Sequence, residues 1–205
     1  VLVVGAGPVG LLLANFLGQA GLRVVVVERR TGPIPHSAAI GITPPSLQIL
    51  ATLGLDAEFL SRGVRVRDCM IHGEGGKLGR VSFRDIPGKF RWVLSLPQRD
   101  TNALLQDHLA RFPNVSLRTG EEVTNLRQMP DHAVVEFCRT DAGDRPQCLS
   151  ARWVVACGRS TLTACFITGT VMMKMMSRTS MTSTSGVMLI SFITSSVSSW
   201  VPKAM

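Results

Sequence analysis

The sequence of 205 residues predicts an α/β fold in which a parallel βαβ unit opens the chain and an antiparallel β portion is inserted behind it. Three observations predict this arrangement. A glycine-rich turn joins two short β-branched runs within the first 28 residues. The segment GEGGK lies between two strand-like runs and is typical of a β-hairpin. The stretch QRDTNALLQDHLARF has the period of an amphipathic helix, whose apolar face is Leu104, Leu105, Leu109 and Phe112.

The opening unit carries a glycine pattern with a chemical use. Val1–Val4 is predicted to be a buried parallel strand, and Gly5, Gly7 and Gly10 follow it as G-x-G-x-x-G. The first glycine permits the tight turn, the second lets the backbone approach a pyrophosphate, and the third lets the helix pack on the strand. The helix that begins there presents unpaired N–H groups and a positive dipole end to that anion.

The surroundings of the glycines support the same interpretation. Glu28 ends a second predicted strand, Val24–Val27, where an acidic side chain accepts hydrogen bonds from ribose hydroxyls. The unit is therefore predicted to bind an adenine dinucleotide in a Rossmann-like manner; the alternative is a βαβ unit whose glycines serve packing alone. The carboxylate of Glu28 would repel a 2′-phosphate and disfavours NADP here, although Arg29 and Arg30 follow it. FAD and NAD both remain open. The connecting helix is expected to end at Gly21 and to bury Leu13, Phe16, Leu17 and Ala20.

Further elements are predicted along residues 40–157. Helices are expected at Ser46–Leu55, Asp56–Gly63 and Gln98–Phe112. Strands are expected at Val64–Ile71, Leu78–Arg84, Trp92–Leu96, Val115–Arg118, Val123–Arg127, Ala133–Cys138 and Trp153–Ala156.

Composition excludes several classes of function. The net charge is +8, but residues 1–160 hold all 14 acidic residues together with 19 of the 22 Lys and Arg, so no basic stripe for nucleic acid is predicted. The five cysteines are odd in number and scattered, which indicates neither a zinc site nor a disulfide framework and favours a cytoplasmic location. The four histidines are interpreted as solvated residues rather than ligands or bases: His36, His72, His108 and His132.

Four segments, in order, carry a resemblance to a known family. They are GAGPVGLLLANFLGQAGLRVVVVER, AIGITPPSLQILATLGL, LSLPQRDTNALLQDHL and ARWVVACGRST, and together they cover about residues 1–161. With them the sequence resembles the FAD-dependent aromatic hydroxylases of the p-hydroxybenzoate hydroxylase type, the class A flavoprotein monooxygenases. The first segment is shared by many dinucleotide enzymes, whereas the second and third are more specific to this family.

The resemblance implies a cofactor, a co-substrate and site residues. It implies that FAD binds with its ADP half at Gly5, Gly7, Gly10 and Glu28, with Arg29 beside them, and that Gln98 lies near the flavin. A structural alternative for Gln98 is that it simply begins the helix after Pro97. NAD(P)H is implied as co-substrate and a small aromatic compound as substrate, with one oxygen atom of O₂ transferred to the ring. No catalytic residue and no metal ligand is nominated.

One family feature has no counterpart at its usual position. The family commonly places an Arg in the loop before the first long helix to meet the pyrophosphate. The matching position lies close to Ala39 and holds no Arg, which leaves Arg30 or His36 as substitutes.

The division of the chain is predicted at about residue 160. Residues 1–160 are expected to form the FAD-binding domain with part of the substrate domain. The family's Asp-Gly is missing after VVAC, and 161–205 offers no later Gly-Asp motif; this stretch holds 7 of the 9 Met residues, 17 Ser or Thr and no acid. It is interpreted as sequence not selected for this fold, from a shifted frame, mis-splicing or truncation; a flexible tail and a membrane anchor are the alternatives.

Three functions are therefore considered at this point. The first is an FAD-dependent, NAD(P)H-using monooxygenase of aromatic compounds, or a truncated piece of one. The second is a catalytically silent, truncated dinucleotide-binding protein, and the third is an NAD-dependent reductase, which the middle segments disfavour. A chain that starts inside a strand without Met is expected to lack its true N-terminus.

Overall fold

A computed structural model describes residues 1–33, 40–140 and 146–157. Its helices are α1 (Pro8–Gln19), α2 (Pro44–Thr52), α3 (Asp56–Arg62) and α4 (Gln98–Leu109). Its strands are β1 (Leu2–Val4), β2 (Val24–Glu28), β3 (Gly41–Ile42), β4 (Val64–Val66), β5 (Asp68–Gly73), β6 (Gly76–Ser82), β7 (Val93–Ser95), β8 (Val115–Thr119), β9 (Glu121–Gln128), β10 (Ala133–Arg139), β11 (Gln147–Ala151) and β12 (Val154–Ala156).

A parallel four-stranded sheet carries the opening unit, in the order β12, β1, β2, β8. β1 pairs with β2 on one side and with β12 on the other, and both pairings are parallel. Leu2 and Val3 are fully buried although they point to opposite faces, because a parallel strand is covered on both sides. The predicted α/β class with a Rossmann-like βαβ unit is confirmed.

Helix α1 packs on this sheet through small residues that the predicted face does not include. The predicted face was Leu13, Phe16, Leu17 and Ala20, but Ala20 is exposed and the other three are only partly buried. The buried residues are Gly10, Leu11, Ala14, Asn15 and Gly18. Small residues let the helix axis approach the sheet closely: a Cβ at Gly18 would lie 2.7 Å from Val115 Cγ2. Leu13, Phe16 and Leu17 pack at the margin of the core, so a count of large apolar residues finds these side chains and misses the small residues that make the closest contacts.

Helix α4 lies beside α1 and confirms most of its predicted face. Leu104, Leu105 and Leu109 are buried, and Phe112 packs at the edge of the same core. The helix ends at Leu109, three residues before the predicted end. It leads into β8, which pairs in parallel with β2.

The antiparallel portion forms three small sheets: β9–β11, β3–β7–β4 and the ribbon β5–β6. The GEGGK hairpin is confirmed between β5 and β6. The predicted single strand Val64–Ile71 is wrong, because the chain changes partner at Arg67: β4 pairs with β7, and β5 pairs with β6. The prediction also missed β3, which has only two residues, and β11, whose sequence QCLSA carries little β-branched signal.

The parallel sheet is the middle layer of three. Val3 and Val26 on one face join the helices in one core, and Leu2, Val4 and Val27 on the other face pack against Val123, Ala133, Val135 and Phe137 of the β9–β11 sheet. The β9–β11 sheet thus covers the back of the parallel sheet, while the carboxyl ends of the parallel strands carry the glycine turn. Within the described residues, no helix is long and apolar enough to span a membrane.

Candidate dinucleotide site

The turn after β1 is fixed between its two neighbouring strands. Gly5 has φ +103°, a left-handed conformation that side chains disfavour, and its N–H donates to Val27 O at 2.7 Å. A Cβ at Gly5 would overlap the carbonyl oxygen of Cys157, the residue after β12. The glycine turn therefore lies at the carboxyl ends of three adjacent parallel strands, where ligands bind in open α/β sheets.

The other two glycines serve different purposes. A Cβ at Gly10 would overlap the carbonyl oxygen of Gly5, so this glycine lets the first turn of α1 pack against the loop. A Cβ at Gly7 would meet nothing within 4 Å. Gly7 is the N-cap of the 12-residue helix α1 and Pro8 is at its first position, so open space lies directly in front of a helix N-terminus.

Glu28 is attached to the same loop by its side chain. Its Oε2 accepts a hydrogen bond from the backbone N–H of Ala6 at 2.8 Å, and only 8% of the residue is exposed. The structure thus places the acid at the end of β2 within one hydrogen bond of the glycine turn. The second oxygen, Oε1, accepts from the backbone N–H of Arg30 at 3.2 Å.

The two arginines after Glu28 have different surroundings. The Arg30 guanidinium lies 3.0 Å from Glu28 Oε1, measured from Nε. Arg29 Nη1 lies 3.9 Å from Glu122 Oε1 on β9. The structure therefore brings Arg30 beside the carboxylate, while Arg29, the residue predicted from sequence, is paired with the antiparallel sheet. Its role in cofactor binding stays a prediction. His36 and Ala39 lie outside the described residues.

Gln98, the first residue of α4, is placed by the packing of α4 on α1. Both helices run opposite to the strands, because α1 connects parallel strands β1 and β2 and α4 leads directly into β8. Asn15, the eighth residue of α1, donates from Nδ2 to the carbonyl oxygen of Leu105, the eighth residue of α4, at 3.0 Å. The two helices therefore run parallel, and both start at the edge of the sheet that carries the glycine turn. Whether Gln98 contacts a flavin stays a prediction.

His108 contradicts the expectation of a solvated histidine. It is 9% exposed, and its Nδ1 lies 2.7 Å from Asn15 Oδ1. Burial, with a smaller contribution from Arg111, lowers its pKa, and Glu58 opposes this weakly. Asn15 and His108 are 93 positions apart, so no local pattern could have identified the pair.

Cys157 closes the site on the side of β12. Its N–H donates to Val4 O at 2.7 Å, and burial raises the pKa of its thiol to about 11. The thiol is therefore neutral at physiological pH and is a packing group rather than a nucleophile. Within the part of the chain that the structure describes, no group of three His, Cys, Asp or Glu side chains could hold a metal ion.

These residues fit the ADP half of a dinucleotide. The space in front of Gly7 adjoins the α1 N-terminus, where a pyrophosphate would bind, and Glu28 is hydrogen-bonded to the same loop, where a ribose would follow. A Cβ at Gly7 would fill that space. We call the space between Gly7 and Glu28 the cradle. An open cradle with an acidic side chain beside it is the structural observation that supports a dinucleotide cofactor.

Comparison with known proteins identifies the family. The profile of the FAD binding domain matches residues 1–203. The chain belongs to this family. Its sequence is 32% identical over 159 residues to para-nitrophenol 4-monooxygenase of Pseudomonas sp. strain WBC-3, covering 76% of this chain and 39% of that protein. It is 39% identical over 168 residues to 3-(3-hydroxy-phenyl)propionate/3-hydroxycinnamic acid hydroxylase 2 of Burkholderia vietnamiensis, covering 79% and 30%.

Solved structures give the same result. The crystal structure of p-nitrophenol 4-monooxygenase from Pseudomonas putida DLL-E4 matches with a TM-score of 0.73 and 32% identity, covering 78% of this chain and 41% of that one. The resemblance to FAD-dependent aromatic hydroxylases is confirmed for the N-terminal part of that family. The chain spans about two fifths of the length of these p-nitrophenol monooxygenases. The division at residue 160 is not tested by these matches and stays a prediction.

Proposed function

We propose that this FAD-binding domain belongs to an FAD-dependent, NAD(P)H-using monooxygenase that hydroxylates a small aromatic substrate. The observation that carries the proposal is the open space at Gly7 in front of α1, next to a Glu28 carboxylate hydrogen-bonded to the same loop. The names of the similar proteins supply the reaction class, because they are hydroxylases and monooxygenases of phenolic compounds.

The chain's own groups would bind and orient the cofactor. The first N–H groups of α1 have no acceptor within the helix and donate to a pyrophosphate that approaches Gly7. Glu28 Oε2 accepts one hydrogen bond, from the Ala6 N–H, and retains a lone pair for a ribose hydroxyl, while Arg30 faces Oε1 and offsets the charge next to the phosphates. Bound FAD supplies the redox and oxygen-transfer chemistry, for which the protein provides position and exclusion of water.

A cytoplasmic location is part of the proposal. Cys69, Cys138, Cys148 and Cys157 are free thiols, which agrees with a reducing compartment and with a supply of NAD(P)H.

A second candidate function is a dinucleotide-binding protein with no turnover of its own. It is favoured by one observation: the groups that the described residues assemble at the glycine turn are those that would hold an ADP half. A cradle for the ADP half is present in the described residues, whereas a substrate pocket would need surfaces from elsewhere in the protein.

One experiment separates the two candidates. The purified 205-residue chain is mixed with FAD, freed of excess cofactor, and assayed for flavin absorbance and for oxidation of NADH and NADPH with p-nitrophenol as probe substrate. Retained flavin with substrate-dependent oxidation supports the monooxygenase, and retained flavin without oxidation supports the silent protein. A chain that stays colourless contradicts the monooxygenase. Glu28→Ala serves as the site control and is expected to retain less flavin than the wild type.

A further inference from the structure

We propose that Asn15 and His108 are positioning residues for the dinucleotide: their contact holds the starts of α1 and α4 in a fixed register, so that one ligand meets both. This inference rests on the proposed function, because it concerns how FAD reaches the second helix. Neither residue lies at the glycine turn, and both act through the helices that carry Gly7 and Gln98.

Asn15 uses its whole amide to join the two helices. Its Nδ2 donates to Leu11 O at 2.8 Å within α1 and to Leu105 O at 3.0 Å in α4. Its exposed fraction is 0%, so each of these polar atoms depends on a protein partner. Because both amide protons go to carbonyl groups, the remaining atom, Oδ1, must be an acceptor for a donor on α4.

His108 is that donor. With Asn15 Oδ1 fixed as the acceptor at 2.7 Å, the proton lies on His108 Nδ1, which sets the tautomer of the neutral ring. The ring also packs edge-on against Phe112, with centroids 5.3 Å apart. The imidazole is thus held on two sides and cannot turn away from Asn15 without leaving a buried amide oxygen unpaired.

The dipoles of the two helices explain why a contact between α1 and α4 would be needed. α1 and α4 run parallel and side by side, so their positive N-terminal ends are neighbours and repel each other. Hydrogen bonds across the interface oppose sliding or splaying of the pair. They fix the helix starts before an anion binds, so that a dinucleotide does not have to order them.

Loss of the Asn15–His108 contact should affect the binding of ADP and of FAD differently. ADP requires only the cradle of Gly7 and Glu28, on the side of α1. FAD extends further, and the family resemblance puts its flavin half near Gln98, at the start of α4. Loosening the Asn15–His108 contact should therefore weaken FAD binding while leaving ADP binding intact.

The test compares near-isosteric substitutions in the full chain. His108→Leu removes the donor, whereas His108→Asn retains an N–H close to the position of Nδ1. Binding of FAD is measured by flavin fluorescence and binding of ADP by calorimetry. We expect His108→Leu to bind FAD about tenfold more weakly, with ADP affinity within about twofold of wild type, and His108→Asn to restore most of the loss. Equal loss for both ligands, or no loss for either, would overturn the proposal.

A ligand-free measurement keeps this test independent of the proposed function. Backbone amide NMR shifts of Gly7–Gly10 and of Gln98–Asp100 are compared in wild type, His108→Leu and His108→Asn. Gln98 is ten residues from His108, about 15 Å along the helix, so shifts there report movement of the helix rather than a local change. Shifts at both helix starts in His108→Leu alone support the contact; shifts confined to the turn around residue 108 contradict it. If wild type binds ADP but no FAD, the proposed function fails and these shifts decide the inference.

Discussion

Single glycines at the dinucleotide site have separable roles. Gly5 is required for its backbone conformation, Gly10 for its approach to the Gly5 carbonyl, and Gly7 for the space it leaves open. The sequence motif predicts all three because the lack of a Cβ is a property of the residue itself. It does not predict that Ala6 N–H would bind Glu28, because that bond depends on a side-chain conformation set by the fold.

Alanine at Gly10 and alanine at Gly7 should differ in their effect on the stability of the fold. Gly10→Ala places a methyl group on the Gly5 carbonyl and is expected to destabilise the fold by about 1–3 kcal/mol. Gly7→Ala meets no atom, and its loss as an N-cap is offset by a less flexible unfolded chain, so stability should change by less than about 1 kcal/mol.

FAD binding should be weakened in Gly7→Ala, the variant that is expected to fold normally. The methyl group of Gly7→Ala fills the cradle, so FAD affinity should fall by about tenfold or more, equivalent to about 1.4 kcal/mol. Urea unfolding and a flavin titration on both variants provide the measurements. Wild-type affinity in Gly7→Ala would show that no pyrophosphate approaches there.

At the scale of secondary-structure elements, the sequence predicts a buried helix face correctly where the buried residues are also the large apolar ones. The α4 face was predicted because Leu104, Leu105 and Leu109 are both apolar and buried. The α1 face was not, because its closest contacts use Gly10, Ala14 and Gly18, which contribute little to an apolar period. The β4–β5 division was missed since a change of pairing partner leaves no local signal.

The buried contact between α1 and α4 gives stability a pH dependence. Burial lowers the pKa of His108, so the unfolded chain takes up a proton near pH 6.5 while the folded chain still resists it. The free energy of unfolding should therefore decrease as pH falls from above 6.5 toward the lower folded pKa. Urea midpoints between pH 7.5 and 5 measure this. His108→Asn, which does not titrate there, should show a smaller decrease; an unchanged slope would contradict the assignment.

At the scale of the whole molecule, the parallel sheet is covered on one face by helices and on the other by the β9–β11 sheet. Its carboxyl edge carries the glycine turn, which is the proposed dinucleotide cradle. The fold class and the family could be predicted from sequence because four segments of the chain keep the family's motifs in order. The residues that join distant elements, such as Asn15 with His108, could not, because their proximity exists only in the folded chain.

The division of the chain at residue 160 makes a prediction about its gene. If residues 161–205 are not selected for this fold, the nucleotide sequence beyond the codon for Cys157 should encode Asp-Gly, and later Gly-Asp, in another frame or across a splice junction. Sequencing of the genomic locus and its transcript checks this. Absence of both motifs from every frame would favour a native tail instead.

The central claim is that the cradle at Gly7 and Glu28 binds the ADP half of FAD. Its most direct measurement is a fluorescence titration of FAD into the purified 205-residue chain, repeated with ADP and with riboflavin as competitors. We expect saturable binding of one FAD per chain, displaced by ADP and not by riboflavin, which lacks the pyrophosphate and the adenosine. Absence of FAD binding, or displacement by riboflavin but not by ADP, would contradict it.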